Sequence, residues 1–295
     1  MTWQQTSPNP VLEGGIERPA ASIGVFDSGL GGLSVLRALR LQLPSVGVHY
    51  IADSAHAPYG DKPADQILAR SMLLCETLLE QGAQLIVVAC NTATVHAIEG
   101  LRQRWPAVPF VGTEPGIKPA VQASKNGRIG VLATAATLAS PRYLALRKTH
   151  GAQTQIVEQA CVGLADLIEA KGVDSPELDA LIQRYCQPLA QAQVDTVLLG
   201  CTHYPLVQTL IQAQLGPHVQ LLNVEDAVAR QAHKLWLQWQ TQHPDWPVNS
   251  RIQLWSTGNT AVLDTMAHRV LPHLAGGATP IKTQALDGGG SLYAR

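Results

Sequence analysis

The run Gln84-Leu85-Ile86-Val87-Val88-Ala89-Cys90-Asn91-Thr92-Ala93-Thr94 decides the fold class. Residues 85–89 are unbroken apolar and rich in β-branched side chains, the pattern of a strand buried on both faces of a parallel sheet. Val95, Ile98, Leu101 and Trp105 then recur at helical spacing up to Pro106. Cys90 is thereby placed between a strand's carboxyl end and a helix start, with Asn91 or Thr92 as the expected cap. Free amides and the positive end of the helix dipole favour a thiolate at such a position.

The same design recurs. Val194-Asp195-Thr196-Val197-Leu198-Leu199-Gly200 reads as a second apolar strand. Cys201-Thr202-His203-Tyr204-Pro205 follows, then a helix with Leu206, Val207, Leu210, Ile211 and Leu215, ended by Gly216. Two strand–cysteine turns, each with a threonine within two residues and a helix behind it, point to a matched pair of reactive groups. A third echo supports this. Ile23-Gly24-Val25-Phe26 returns as Ile129-Gly130-Val131-Leu132 106 residues later, and the two cysteines are 111 residues apart. The near-equal offsets predict an internal duplication. The expected architecture is α/β: two pseudo-symmetric doubly wound, mostly parallel-sheet domains, each carrying one cysteine to the carboxyl end of its sheet, with the active site in the cleft between them.

Toward the N-terminus, residues 22–26 form a first strand, and Asp27-Ser28-Gly29-Leu30-Gly31-Gly32 a turn before a helix with Leu33, Leu36, Leu39 and Leu43. A dinucleotide fingerprint would need glycine where Ser34 stands, and no Gly-Lys-Ser/Thr is present, so the turn fits a small anion better than a nucleotide. A strand over 46–53 leads into a polar loop holding His56, Pro58, Tyr59, Gly60, Asp61 and Lys62. A helix over 64–81 carries Cys75 on its apolar face. In the second half, strands are expected at 128–132, 155–157 and 219–224, and helices at 162–171, after a Ser175-Pro176 cap, and at 226–239. Residues 252–255 form the last expected strand. Glu169 reads from the pattern alone as an exposed carboxylate, and Cys186 as a structural thiol beside a helix's apolar face.

Composition narrows the class. Among 295 residues, 46% are hydrophobic and 15% charged, with a net charge of −1. That allows a sizeable buried interior and gives no basic surface for nucleic acid. No apolar run reaches the roughly 18–20 residues a membrane span needs. Residues 1–21 form an aperiodic, flexible extension without the basic start and apolar core of a signal peptide, which places the chain in the cytoplasm. Five cysteines, an odd count with no CxxC, argue against a disulfide framework or a structural zinc site.

Two cysteines facing one cleft suit proton transfer at carbon: one takes a proton from Cα and the other returns one to the opposite face. The bases must be strong, close and dry. Asp27 is placed to hold or relay charge on the Cys90 side and His203 on the Cys201 side. Amides and hydroxyls of Ser28, Gly60, Asn91, Thr92 and Thr202 are placed to receive substrate carboxylates. A pyridoxal enzyme would need a Schiff-base lysine, and none lies beside either cysteine turn, so neither cofactor nor metal is expected. A competing reading makes Cys201 a nucleophile with His203 as its base, which leaves Cys90 idle. A second leaves both cysteines buried and inert.

The residues from Ile23 through Asp27-Ser28-Gly29 to Leu36 resemble the opening motif of the glutamate racemase family, within the aspartate/glutamate racemase superfamily. Asp53 with Pro58-Tyr59-Gly60, Ala89-Cys90-Asn91-Thr92-Ala93, Glu114-Pro115 with Lys118-Pro119, and Leu199-Gly200-Cys201-Thr202-His203-Tyr204-Pro205 resemble its other motifs. The resemblance spans about Ser22 to Gly258. It implies cofactor-independent racemisation of glutamate, supplying D-glutamate to peptidoglycan synthesis. Cys90 and Cys201 would be the acid/base pair, assisted by Asp27, His203 and Glu169. Asp27, Ser28, Tyr59, Gly60, Asn91, Thr92, Thr202 and His203 would bind substrate. It also implies a first domain of residues 22–112 plus 224–295, a second of 113–223, and a possible homodimer. Leu222-Asn223-Val224-Glu225 departs from the Ile-Asp-Ser-Gly that relatives often carry. Racemisation of another small acidic amino acid such as aspartate, and a largely non-catalytic gyrase-binding role, remain as alternatives.

Overall fold

The computed structural model describes residues 19–272 and 281–286; residues 1–18 of the extension and the glycine-opened tail 288–295 lie outside the described residues. The chain begins β1 (Ser22–Asp27), α1 (Leu33–Gln42), β2 (Gly47–Ala52), α2 (Ala64–Glu80), β3 (Ala83–Val88), α3 (Asn91–Arg104), β4 (Phe110–Gly112) and α4 (Ile117–Ala123). It continues β5 (Arg128–Ala133), α5 (Ala135–Ala139), α6 (Pro141–His150), β6 (Gln155–Ala160), α7 (Leu164–Lys171), α8 (Glu177–Gln191), β7 (Thr196–Gly200), α9 (Gln208–Leu215) and β8 (Gln220–Leu222). Then come α10 (Glu225–Gln242), β9 (Ile252–Ser256), α11 (Thr260–Val270) and β10 (Ile281–Ala285).

The strands form two sheets, β10-β9-β2-β1-β3-β4 and β6-β5-β7-β8, with every described pairing parallel. The order β2-β1-β3-β4 of the first is repeated as β6-β5-β7-β8 in the second, so the predicted pseudo-symmetry is visible in the topology. The repeated Ile-Gly-Val has a packing reason. A Cβ on Gly24 would lie 2.7 Å from Ile86 Cδ1 and 3.0 Å from Leu78 Cβ on α2, and one on Gly130 would lie 2.5 Å from Leu189 Cδ2 on α8. Each sheet thus brings a bare backbone under its covering helix at the same place.

Helices cover both faces of the first sheet, as buried parallel strands require. Leu33, Leu36 and Leu39 of α1 pack with Val228 and Trp236 of α10 on one face. Leu74 and Leu78 of α2 pack with Ile98 and Leu101 of α3 on the other. Each such fully buried side chain contributes roughly 1.5–3 kcal/mol, more than an exposed ion pair supplies, so these two layers dominate the fold's stability. After β8 the chain returns to the first sheet: α10 packs on α1, and β9 pairs with β2.

Several expectations are corrected. The last strand is not 252–255, because β10 pairs outside β9. β8 keeps only three residues of the expected 219–224, while β6 runs on to Ala160. α7 begins at Leu164, after Gly163 in a left-handed conformation with φ 77°. Ser175 does not cap α8; its hydroxyl bonds the Glu177 carboxylate instead. The cap of α3 is neither Asn91 nor Thr92 but Cys90 itself, whose Sγ accepts the Ala93 N–H at 3.4 Å.

Candidate active site

Parallel strands end their backbones at one edge, and the chemistry-bearing turns gather there. Cys90 leaves β3 beside Asp27 at the end of β1, and its Sγ lies 3.6 Å from Ser28 Oγ. Because Cys90 takes the cap, Asn91 and Thr92 fall inside the first turn of α3. Asn91 Nδ2 donates to the Thr113 carbonyl at 3.2 Å, and its buried Oδ1 has no hydrogen-bond partner among the described residues. Thr92 Oγ1 meets Thr134 Oγ1 at 3.0 Å.

Cys201 leaves β7 differently. A turn and a 3-10 segment, Tyr204–Val207, separate it from α9. Its Sγ lies 3.7 Å from His203 Nδ1, and His203 Nε2 lies 2.5 Å from Glu169 Oε1 on α7. Glu169, expected to be exposed from the pattern, is largely buried at 13%. Oε1 also accepts the Leu30 N–H at 2.5 Å, and Oε2 accepts from Ser54 Oγ at 3.4 Å. The glycine turn after β1 therefore does meet an anion, and that anion is this chain's own carboxylate. The glycines allow the approach: a Cβ on Gly29 would lie 2.0 Å from Glu169 Oε1, and one on Gly31 2.7 Å from His203 N.

Asp27 is not confined to the Cys90 side. Its Oδ1 accepts from Thr202 Oγ1 at 3.0 Å, next to Cys201, and its Oδ2 accepts the Gly29 N–H at 3.0 Å. Cys90, Ser28, Asp27, Thr202 and Cys201 thus follow one another across the seam between the two sheets. Tyr59 is the one expected contact whose side chain is turned away: it is buried, and its hydroxyl donates to Asp53 Oδ2 at 2.6 Å. Gly60 faces the seam, where an added Cβ would lie 3.4 Å from Thr134 Cβ.

Burial sets the electrostatics. It pushes the Cys90 thiol up to about 12, with the Asp27 charge adding to the effect. The helix start expected to favour a thiolate is outweighed here by desolvation. Burial also raises the Asp27 carboxyl, against the pull of His203. For His203 burial works against the charged form, but bonds to Cys201 and Glu169 outweigh it and hold the imidazole well above its usual range. In its charged form the ring donates from Nε2 to Glu169 and points the Nδ1 proton at Cys201 Sγ.

Cys90 and Cys201 are 5% and 7% exposed, so the seam is closed over them. A cavity of about 380 Å³ opens to one side, lined by Ser54, Pro58, Asp166, Glu169, Gly258 and Asn259 among others, and reaches Glu169 rather than the sulfurs. Among the described residues no cluster of His, Cys, Asp or Glu is arranged to hold a metal, and no helix is long and apolar enough to cross a membrane. Sequence reasoning missed Thr134, Ser54 and Tyr50, whose hydroxyl donates to the Gly29 carbonyl at 2.7 Å. Thr134 was available from the repeat, since it follows β5 as Ser28 follows β1.

Residues 23–232 match the Asp/Glu/hydantoin racemase family. The glutamate racemase of Pseudomonas aeruginosa is 46% identical over 216 residues, covering 73% of this chain and 82% of that protein. That of Herpetosiphon aurantiacus is 48% identical over 213 residues, covering 72% and 84%. Among solved structures, Escherichia coli glutamate racemase in complex with L-glutamate and the activator UDP-MurNAc-Ala is similar at a TM-score of 0.75 and 31% identity, over 90% of this chain and 99% of that one. A glutamate racemase isoform of Bacillus anthracis is similar at a TM-score of 0.74 and 28% identity, over 90% and 97%. Motifs, parallel two-sheet topology and these likenesses agree, and the chain belongs to the Asp/Glu/hydantoin racemase family.

Proposed function

We propose that the chain interconverts L- and D-glutamate, with Cys90 and Cys201 exchanging the Cα proton on opposite faces of the substrate. The observation that carries this reading is the placement of the two cysteines after equivalent strands, β3 and β7, on a seam bridged by Asp27 and Thr202. Enantiomers have equal free energy in water, so the reaction has no net drive, and each face of the carbon needs its own acid/base group. One sulfur, as thiolate, takes the Cα proton. The other, as thiol, gives its proton to the opposite face, and the roles reverse in the return direction.

The surroundings support a division of labour in the closed seam. Cys90, kept a thiol by burial, suits the donor. Cys201 has a different neighbour, His203 Nδ1 at 3.7 Å from its Sγ. Asp27, His203 and Glu169 act through charge and position. Ser28, Gly60, Asn91, Thr92 and Thr202 receive the substrate's carboxylates and ammonium. Tyr59 supports the site without touching substrate, since its hydroxyl is committed to Asp53. The likeness to glutamate racemases supports glutamate as substrate. This reading takes residues 22–112 with 224–295 as one domain and 113–223 as the other. Its product, D-glutamate, serves peptidoglycan synthesis in the cytoplasm.

The test is to incubate the pure protein with L-glutamate in D2O with no added pyridoxal phosphate. D-glutamate carrying deuterium at Cα is expected. Absence of turnover sinks the proposal, and turnover of aspartate but not glutamate reassigns the substrate.

A further inference from the structure

Asp53 is a buried carboxylate that the proposed chemistry does not use. It follows β2, one strand over from Asp27, and both are 0% exposed. Their surroundings are opposite. Asp53 accepts from Tyr59 OH at 2.6 Å, Arg70 Nε at 3.0 Å, Arg70 Nη2 at 2.6 Å and Thr257 Oγ1 at 3.0 Å, with His56 Nδ1 at 3.1 Å. Burial opposes its charge, but the Arg70 and Tyr59 bonds win and hold the carboxyl below its usual range. A two-toothed guanidinium fixes the plane of a carboxylate as well as its charge.

The donors come from three places: Arg70 from α2, Thr257 from the connection between β9 and α11, and His56 and Tyr59 from the loop after β2. That loop touches both arms of the site. At one end Ser54 Oγ donates to Glu169, which holds His203. At the other Gly60 lies against Thr134, which bonds Thr92 beside Cys90. Its middle is tied to Asp53 by two side chains. A wall so placed controls how substrate sits between two acid/base groups, where small displacements matter.

We propose that Arg70 and Asp53 form a clamp that positions the 54–60 wall of the substrate site, with Tyr59 acting as one jaw of that clamp rather than as a substrate contact. The clamp rests on the glutamate racemase reading of the site. It acts through other residues, so its signature is a raised KM with chemistry largely intact.

Arg70→Lys keeps a positive charge and loses the fork. It is expected to raise KM for glutamate about tenfold and change kcat by less than about threefold. The primary isotope effect with Cα-deuterated glutamate stays as in the wild type. Tyr59→Phe removes one donor and little volume, and is expected to raise KM by about threefold. The double variant should be no worse than Arg70→Lys alone, because both act through Asp53. If Arg70→Lys does not fold, Tyr59→Phe decides: an unchanged KM in it overturns the clamp. Additive losses in the double variant, or a fall in kcat with KM unchanged, also overturn it. A folded wild type that fails to turn over glutamate removes the racemase reading and the clamp together, whereas an active wild type with unchanged KM in both variants removes the clamp alone.

Discussion

Cys90 and Cys201 follow equivalent strands, yet Cys90 caps its helix directly, while Cys201 is separated from α9 by a turn and a 3-10 segment. The Cys90 sulfur meets a serine hydroxyl and one backbone amide, and burial raises its pKa. The Cys201 sulfur faces a histidine that is itself held by Glu169. Repetition of a βα unit therefore places the two sulfurs, but it does not make them alike. The turn after β7 has room for a histidine because it does not continue straight into helix, and Gly29 and Gly31 of the first sheet make space for that histidine and its carboxylate.

The largest expected effect tests whether both arms are needed. Cys90→Ser and Cys201→Ser should each lower kcat/KM for racemisation by at least about a thousandfold, measured by optical rotation. A variant retaining near wild-type turnover breaks the pairing. Next, His203→Asn should lower kcat/KM by about a hundredfold. With an equilibrium constant of one, the loss in kcat/KM must be equal from either enantiomer. The asymmetry should appear in the isotope effects, which become unequal for Cα-deuterated L- and D-glutamate; equal effects would erase the distinction between the arms. Gly29→Ala, whose Cβ would overlap the Glu169 carboxylate, should cost about tenfold by displacing the support of His203 rather than His203 itself.

A smaller effect concerns pH. The folded pKa of His203 lies above its unfolded value. Its contact with Glu169 therefore stabilises the native state fully below the unfolded imidazole pKa, about 6.5, and that contribution is lost as pH rises through the folded pKa. The Tm gap between wild type and His203→Asn should be widest near about pH 6 and narrow toward alkaline pH. A gap that widens with pH would mean that the imidazole is neutral. The smallest effect is expected at Arg269, whose exposed ion pair with Asp174 joins the β9-side helix α11 to the loop after α7. Arg269→Ala should leave Tm and turnover unchanged within error, since a solvated pair is screened. A measurable loss of turnover would show that the two arms depend on an outer latch as well as on the seam.

Much of this was legible in the residues. Unbroken apolar runs such as 85–89 must be covered on both faces, and that requirement alone implies parallel sheets with helices on each side. The short echo Ile-Gly-Val marks positions where a helix must lie close to the strand, so it survives as sequence. Asp27 and Asp53 were not distinguishable in the same way. Asp27 ends β1, Asp53 directly follows β2, and each precedes a serine, yet one carboxyl is raised and the other lowered. The difference comes from Arg70 and Tyr59, which lie 17 and 6 residues from Asp53. Glu169 likewise looked like a surface carboxylate on a short helix, because its partners Leu30, Ser54 and His203 come from separate turns.

The sequence by itself determined the strand–turn–helix units and the pairing of the cysteine turns, because these follow from local periodicity and backbone chemistry. The tertiary structure alone decided that Cys90 caps its own helix, that Asp27 spans the seam, and that Tyr59 faces Asp53 instead of the cleft. Those outcomes depend on desolvation and on charges brought together across the fold, and both exist only once the two sheets have closed on each other.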